Sequence, residues 1–521
     1  MPDVIVIGAG SSGAVVASRL SEDPDTTVLL LEAGGEDRSL DTRVPAAFTK
    51  TFKTDLDWDV TTVPQERLGG RGLYWPRGRV VGGSSAMNAM MWVRGTPADY
   101  DRWAAAGCDG WGYEDLLEHF VASEDTERGG GPEVGVGGPL SIREPRDPNP
   151  ATLAFVDACV AAGIPRNHHP NERGNDGVAL TQVTQRRGLR HSVATAYLGP
   201  ARRRDNLTVV TGAHVARVVV EGSRAVAVDW TDDDGVEHTA TAGREVVVSA
   251  GAVNTPQVLM LSGIGPAGHL RDHGIEVVVD RPAVGENLSD HLATAIVVHT
   301  DRTDTLAGAE TTANLLRLLA RRRGPLTSNA AEAHAFLRTV EGRDRPDVEL
   351  VFAIVPYIDH VLEPPTSHGY TLGVVLLDPE SRGTVRLRDG DHRSPVVVDP
   401  NYLATDTDVA TLVRGLRRAQ EVLHTPPLAD LVTTPWLPDH WVDDDDAWRA
   451  HLARWSETLY HPAGTARMGS DDDAVVAPDL RVRGVAGLRV ADTSIMPSLV
   501  SGHTHAPAVM IGEKAASLLR A

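Results

Sequence analysis

The opening stretch "VIVIGAGSSG", Val4 to Gly13, constrains the fold more than any other part of the chain. A short apolar run rich in β-branched residues and closed by glycine reads as a buried strand. "SGAVVASRLSED" then takes helical spacing, and "TVLLLEAG" returns to strand. Gly8, Gly10 and Gly13 form a G-x-G-x-x-G at the strand-to-helix turn, and Glu32 follows nineteen residues after Gly13. Gly8 suits the tight turn, and Gly10 lets the backbone approach a pyrophosphate. Gly13 lets helix and strand pack closely, the helix N-terminus faces phosphate, and Glu32 accepts from a ribose. The reading is a dinucleotide site in a parallel α/β unit. The fingerprint alone does not separate NAD from FAD, and an acidic residue at the ribose disfavours NADP.

The remaining pattern is mixed. "LTVVTGAHVARVVVEGSRAVAVDWTDDDG" reads as a meander with turns at Gly222 and Gly235, and "REVVVSAGA" as a buried strand. "DVELVFAIVP", "YTLGVVLLDP" and "TVRLRDG" read as strands of a second sheet, and "HAPAVMIGEKAASLLRA" as a C-terminal helix. Nucleotide-fold segments therefore recur at the start, in the middle and at the end, which predicts interleaved domains. "ERGGGPEVGVGGPL" (Glu127 to Leu140) is a glycine-rich loop, read as a surface loop ahead of a lid. Asp443 to Asp446 reads as solvated surface.

Bulk properties narrow the function. A net charge of −21 argues against nucleic acid and against anionic lipid. No run of 18 apolar residues occurs, so no membrane span is expected. No signal peptide is read at the N-terminus. Cys108 and Cys159 are the only cysteines, too few for a disulfide framework or a metal cluster. A reducing cytoplasm is expected, and no metal.

Two further stretches are unusual. "GRVVGGSSAMNAMMWVRG" (Gly78 to Gly95) lines up Gly82, Gly83, Ser84 and Ser85 ahead of Asn88. Small residues in a row let a planar group or a diphosphate lie on the backbone. "GAVNTPQVLMLSGIGP" (Gly251 to Pro266) starts where a strand ends. Both resemble the signature patterns of the glucose–methanol–choline (GMC) family of FAD-dependent oxidoreductases. "PAVGENLSDHL" and "GLRVADTSIMPSLVSGHTHAPAVMIGEKAA" resemble two more family segments, in family order.

The resemblance implies a Rossmann-type FAD-binding domain interleaved with an antiparallel-sheet substrate domain, an α/β (α+β) fold. The expected division is 1–140, 200–290 and 465–521 for FAD, and 141–199 and 291–464 for substrate. It places Gly8, Gly10, Ser12, Gly13, Glu32 and Ala33 on the ADP half and Val215 against adenine. Gly82, Gly83, Ser85, Asn88 and Ala89 would follow diphosphate and flavin, with Ala250 at the second signature. Asp492 would reach the ribityl–diphosphate region; as a residue it reads equally as a helix cap. His505 and Ala506 would meet the flavin from the last helix. Some members bond FAD through a histidine before the signature asparagine. Here that position is Met87, so FAD is expected to be non-covalent.

"YHPAGTARMGS" (Tyr460 to Ser470) resembles the segment carrying the family's catalytic histidine, which maps that role onto His461. The second active-site position falls on His503. A neutral imidazole of pKa ~6.5 suits a general base at neutral pH. His461 would take the hydroxyl proton, and His503 would hydrogen-bond the same oxygen. His291, in "LSDHL", is read as structural. The implied reaction is oxidation of an alcohol, with O2 or a quinone-type compound as acceptor. Choline dehydrogenase proper, a hydroxynitrile-lyase type of non-redox member, and an idle flavin scaffold are the alternatives. For a choline cage, Trp58, Trp75, Trp92 and Tyr357 are the aromatic candidates and Glu332 the carboxylate.

Overall fold

The computed structural model describes residues 1–520. Its first layer is a parallel five-stranded sheet in the order Leu207–Thr211, Val28–Glu32, Val4–Ile7, Glu245–Val248, Leu488–Val490. All four residues of Val4–Ile7 are buried, which is why the strand is apolar on both faces. Strands from the start, middle and end of the chain thus share one sheet.

The helix Gly13–Leu20 packs between this sheet and the C-terminal helix His505–Arg520. A Cβ on Gly13 would stand 2.0 Å from the Gly8 carbonyl oxygen, so only glycine lets the helix sit this close to its strand. Gly512 serves the helix crossing in the same way, because a Cβ there would stand 2.7 Å from the Ser12 carbonyl oxygen. The meander His214–Glu221, Arg224–Thr231, Glu237–Thr241 flanks the sheet, with turns at Gly222 and Gly235.

The second layer is a six-stranded antiparallel sheet. Its main path runs Ala331–Leu337, Val348–Ala353, Gly369–Leu376, Leu292–His299, Pro435–Leu437, and Glu457–Thr458 also pairs with Leu292–His299. The 18-residue helix Asp406–Leu423 covers one face, with Leu412, Leu416 and Val422 buried in the same core as Val374 and Leu350. A helix on one side leaves the other side free to wall a cavity.

One local expectation changes and two are refined. Thr384–Arg386 is a strand, but it pairs with Val397–Asp399 in a separate two-stranded ribbon and not in the large sheet. The aspartate run is not only solvated surface, since Asp444 accepts from the Ala447 amide at 2.8 Å and caps the helix Asp445–Trp455. The glycine-rich loop lies over the buried Arg94–Glu124 pair: Arg94 donates to the Glu133 carbonyl at 2.9 Å, and Gly138 donates to that of Glu124 at 2.8 Å. It does not border the cavity described below, so nothing assigns it the role of a lid. Among the described residues, no helix is long and apolar enough to cross a membrane.

Candidate active site

A cavity of about 760 Å³ runs from the glycine-rich turn of the parallel sheet to the uncovered side of the antiparallel sheet. At one end it is bordered by Gly8, Gly10, Ser12, Glu32, Ala33 and Val215. Glu32 accepts from the Ala9 and Gly34 amides, each at 2.8 Å, which fixes its carboxyl at the cavity wall. Burial pushes that carboxyl up to about 7, against the pull of the two amides. The helix Gly13–Leu20 has no side-chain cap, because the Ser12 hydroxyl donates to the Ala508 carbonyl at 2.7 Å instead. The Ala14 amide is taken by the Gly10 carbonyl, so the part of this helix start that meets the cavity is the turn Gly10, Ser11 and Ser12.

The middle of the cavity is walled by Gly83, Ser84, Asn88, Ala89, Ala250 and Asp492. Asp492 is a helix cap that also borders the cavity. One oxygen accepts from the Ser494 amide at 2.8 Å, and the other from Gly251 N at 2.9 Å and Thr255 Oγ1 at 2.6 Å. It caps two helix starts while facing the cavity, and burial raises its carboxyl. Asn88 Oδ1 accepts from Met90 N at 3.0 Å and from Arg190 Nη1 at 2.8 Å.

Four predicted cofactor residues do not border the cavity: Gly13, Gly82, Ser85 and Ala506. Ser85 turns inward, donating to the Gly82 carbonyl at 2.6 Å and accepting from Val193 N at 3.2 Å. Its neighbour Ser84 holds the cavity side. Gly13 and Gly82 act by close packing behind the wall.

At the far end stand the histidines. Tyr460 and Gly464 take positive φ of 69° and 88°, which turns the chain sharply on either side of His461. A Cβ on Gly464 would lie 2.5 Å from the Asn287 carbonyl oxygen. The His461 amide donates to Asp290 Oδ1 at 2.7 Å, and Asp290 Oδ2 accepts from Thr458 at 2.6 Å and from the Tyr402 hydroxyl. Buried Asp290 thus pins the loop at His461. The His461 and His503 rings meet edge to face at 4.8 Å, and both border the cavity.

Three partners behind the pair escaped the sequence reading. His291, expected to be merely structural, places Nδ1 2.9 Å from His461 Nδ1, and its Nε2 lies 3.2 Å from the Leu377 carbonyl oxygen. Glu349, wholly buried, lies 3.0 and 3.1 Å from His503 Nε2 through its two oxygens, and 3.1 Å from His334 Nδ1. "LSDHL" gave a signal for the first, since Asp290 and His291 are adjacent. Glu349 and His334 sit mid-strand in apolar runs and gave none.

The electrostatics differ from an ordinary imidazole pair. Burial, then the neighbouring His503, His291 and Arg77, push His461 well below its usual value. The expected ~6.5 therefore does not hold for His461. Burial lowers His291 to about 4. Burial alone would raise Glu349, but its two imidazole partners outweigh it and hold the carboxyl at about 2. His334, Glu349 and His503 have ligand atoms within 4.8 Å of one another and could hold a metal ion. Their contacts are those of a carboxylate shared by two imidazoles.

The cavity suits a flavin dinucleotide. No protein atom comes within 4 Å of where a Cβ on Gly10 or Gly251 would stand, so a ligand can lie on those backbones. His505 places Nδ1 3.3 Å from Ser11 Oγ and leaves a buried Nε2 with no protein partner among the described residues. Gly8, Gly10, Glu32, Asn88, Asp492 and His505 are the residues positioned to hold it. Of the aromatic candidates, Trp58 and Tyr357 border the cavity, whereas Trp75 and Trp92 do not. Glu332 is also elsewhere: it accepts from the Asn149 amide and from Thr152, each at 2.7 Å.

Comparison with known proteins agrees with this geometry. Residues 2–293 and 379–512 match the family models of the two GMC oxidoreductase regions. An uncharacterized GMC-type oxidoreductase of Mycobacterium tuberculosis is 49% identical over 99% of both chains. "Alcohol dehydrogenase [acceptor]" of Pseudomonas putida is 38% identical, covering 100% of this chain and 96% of its own. Among solved structures, pyridoxine 4-oxidase from Mesorbium loti superposes with a TM-score of 0.92 at 34% identity over 99% of both chains. The chain belongs to the GMC oxidoreductase family, flavin-dependent enzymes that act on CH–OH donors.

Proposed function

We propose that the protein oxidises a small primary alcohol to the aldehyde, with His461 as general base and with FAD held non-covalently. The observation that carries this reading is the His461–His503 pair, 4.8 Å apart and bordering the same cavity as the dinucleotide fingerprint. When bound, FAD supplies the hydride acceptor and passes electrons to O2, giving H2O2, or to a quinone-type acceptor. His461 takes the hydroxyl proton, which its depressed pKa keeps it free to do. His503, backed by Glu349, hydrogen-bonds the same oxygen and fixes the α-carbon. In this reading the segments 1–140, 200–290 and 465–521 serve the cofactor, and 141–199 and 291–464 the substrate. In the same reading the enzyme works in the cytoplasm, which its two free, buried cysteines suit.

The substrate end favours a neutral alcohol with an apolar body over choline. Phe48, Phe52, Met87, Tyr357 and Leu459 border it. Glu457, a carboxylate at this end, already pairs with Arg71 at 2.7 Å. Glu332, the carboxylate considered for a cation, is outside.

The test is anaerobic mixing of the holoenzyme with a panel of aryl, aliphatic and quaternary-ammonium alcohols, followed by flavin bleaching. Aryl or aliphatic alcohols should bleach it and choline should not. His461→Ala should keep its FAD and lose about 10²–10⁴-fold in the rate. Absence of bleaching by any alcohol would favour a lyase, and oxygen uptake separates oxidase from dehydrogenase.

A further inference from the structure

His291 is wholly buried and sits between a backbone carbonyl and the His461 imidazole. Its Nε2 lies 3.2 Å from the Leu377 carbonyl oxygen, and its Nδ1 2.9 Å from His461 Nδ1. A carbonyl oxygen only accepts, so His291 Nε2 carries the proton. Burial keeps the His291 ring neutral, its pKa lowered to about 4, so its Nδ1 carries none and is an acceptor. The short contact between the two Nδ1 atoms then needs one proton, and only His461 can supply it.

We propose that His291 is a positioning residue that fixes His461 as the Nδ1–H tautomer and leaves the His461 Nε2 lone pair bare for the substrate hydroxyl. The order of donation runs from His461 Nδ1–H to His291 Nδ1, and from His291 Nε2–H to the Leu377 carbonyl. His461 Nε2 has no hydrogen-bond partner in the protein among the described residues. In the reaction the substrate O–H bond breaks, its proton moves to Nε2, and the bond from Nδ1–H to His291 is kept. The imidazolium formed is stabilised by that neutral acceptor. A free imidazole would spend part of its time with the proton on Nε2, where it cannot act as base. The groups facing His461 are His291, His503 and Arg77, with Asp290 on its amide. Of these, only His291 bonds its ring Nδ1.

The proposal rests on His461 being the base, and the two are tested separately. In long-range proton–nitrogen spectra of the ¹⁵N-histidine-labelled holoenzyme, one imidazole should show a protonated Nδ1 and a bare Nε2, and should vanish in His461→Gln. A protonated Nε2 at that residue overturns the relay. In stopped-flow reduction, His291→Phe should retain FAD, leave KM within about threefold and slow flavin reduction about 10²-fold. His291→Asn sets a carbonyl oxygen where Nδ1 stood and should recover to within about tenfold of the parent. A Phe variant at the parent rate, or an Asn variant as slow as Phe, also overturns it. Normal reduction by His461→Ala would instead remove the base assignment, whatever the spectra show.

Discussion

Glu349 and His503 form a carboxylate–imidazole pair sealed from solvent, with His503 Nε2 3.0 and 3.1 Å from the two carboxylate oxygens. An ionised carboxylate only accepts, so His503 must present Nε2–H to it. His334 donates to the same carboxylate from Nδ1, at 3.1 Å. The carboxylate thereby fixes which His503 nitrogen is left for substrate. In the proposed reaction His503 would hold the alcohol oxygen while His461 takes its proton, and their different partners, Glu349 and His291, suit them to different roles. Two imidazoles with identical surroundings would compete for the same role.

Glu349→Gln keeps the shape of that partner and removes its charge. A hydrogen bond to a charged group contributes about 1.5–3 kcal/mol, so the variant should lose about tenfold or more in anaerobic flavin reduction. FAD content should be unchanged, because Glu349 is remote from the dinucleotide end. Parent-like reduction would show that the carboxylate is structural only.

The pH dependence follows from the direction of the His461 shift. The base acts in its neutral form, and a depressed pKa keeps it neutral to lower pH. The acid limb of kcat/KM should therefore fall well below the ordinary imidazole value of ~6.5. His503 and Arg77 are among the charges that depress His461, so His503→Asn should move the limb upward. A wild-type limb centred at the ordinary histidine value would contradict this electrostatic account.

The parts legible in the sequence were those whose chemistry is local. Gly8, Gly10, Gly13 and Glu32 lie within one strand–turn–helix–strand unit whose spacing alone predicts a dinucleotide site; Gly8, Gly10 and Glu32 border the cavity and Gly13 packs behind it. His461 was legible through the resemblance of its segment, Tyr460 to Ser470, to a family segment, because a histidine followed by Pro and Gly says little by itself. Glu349 and His334 were not, because both alternate with apolar residues in strands, and neither the strand period nor composition says which strand stands behind His503. That depends on antiparallel register: the pairing of His334 with Val351 sets it two residues from Glu349 across the sheet. Ser85 shows the opposite limit. Its segment was recognised, but a tight 3₁₀ turn at Gly83–Ala86 decides which of two adjacent serines faces the cavity.

Gly10 and Gly13 separate ligand binding from folding within one motif. A Cβ on Gly10 meets no protein atom within 4 Å, whereas one on Gly13 stands 2.0 Å from the Gly8 carbonyl oxygen. Gly10→Ala should keep the urea midpoint of the apoprotein and weaken FAD binding about tenfold or more, because it intrudes where the diphosphate approaches. Gly13→Ala should lower the midpoint itself, through a loss of unfolding free energy typical of overpacking, about 1–3 kcal/mol. Equal effects of the two substitutions on apoprotein stability would refute the distinction.

Met87 supports the proposal that the flavin is held non-covalently. Its thioether borders the cavity at the position where a covalent link would need an imidazole, and no histidine lies between Gly78 and Gly95. His505, whose buried Nε2 lacks a partner, also borders the cavity, but it begins the C-terminal helix on the side of Ser11 and the glycine-rich turn. That location suits a hydrogen bond to the cofactor better than a bond to its ring. Acid precipitation of the holoenzyme should therefore leave the flavin in the supernatant. The apoprotein should rebind added FAD, with a melting temperature that rises with FAD concentration. Yellow colour retained in the washed acid pellet would show a covalent bond, and a His505→Ala variant that then released it would identify the residue.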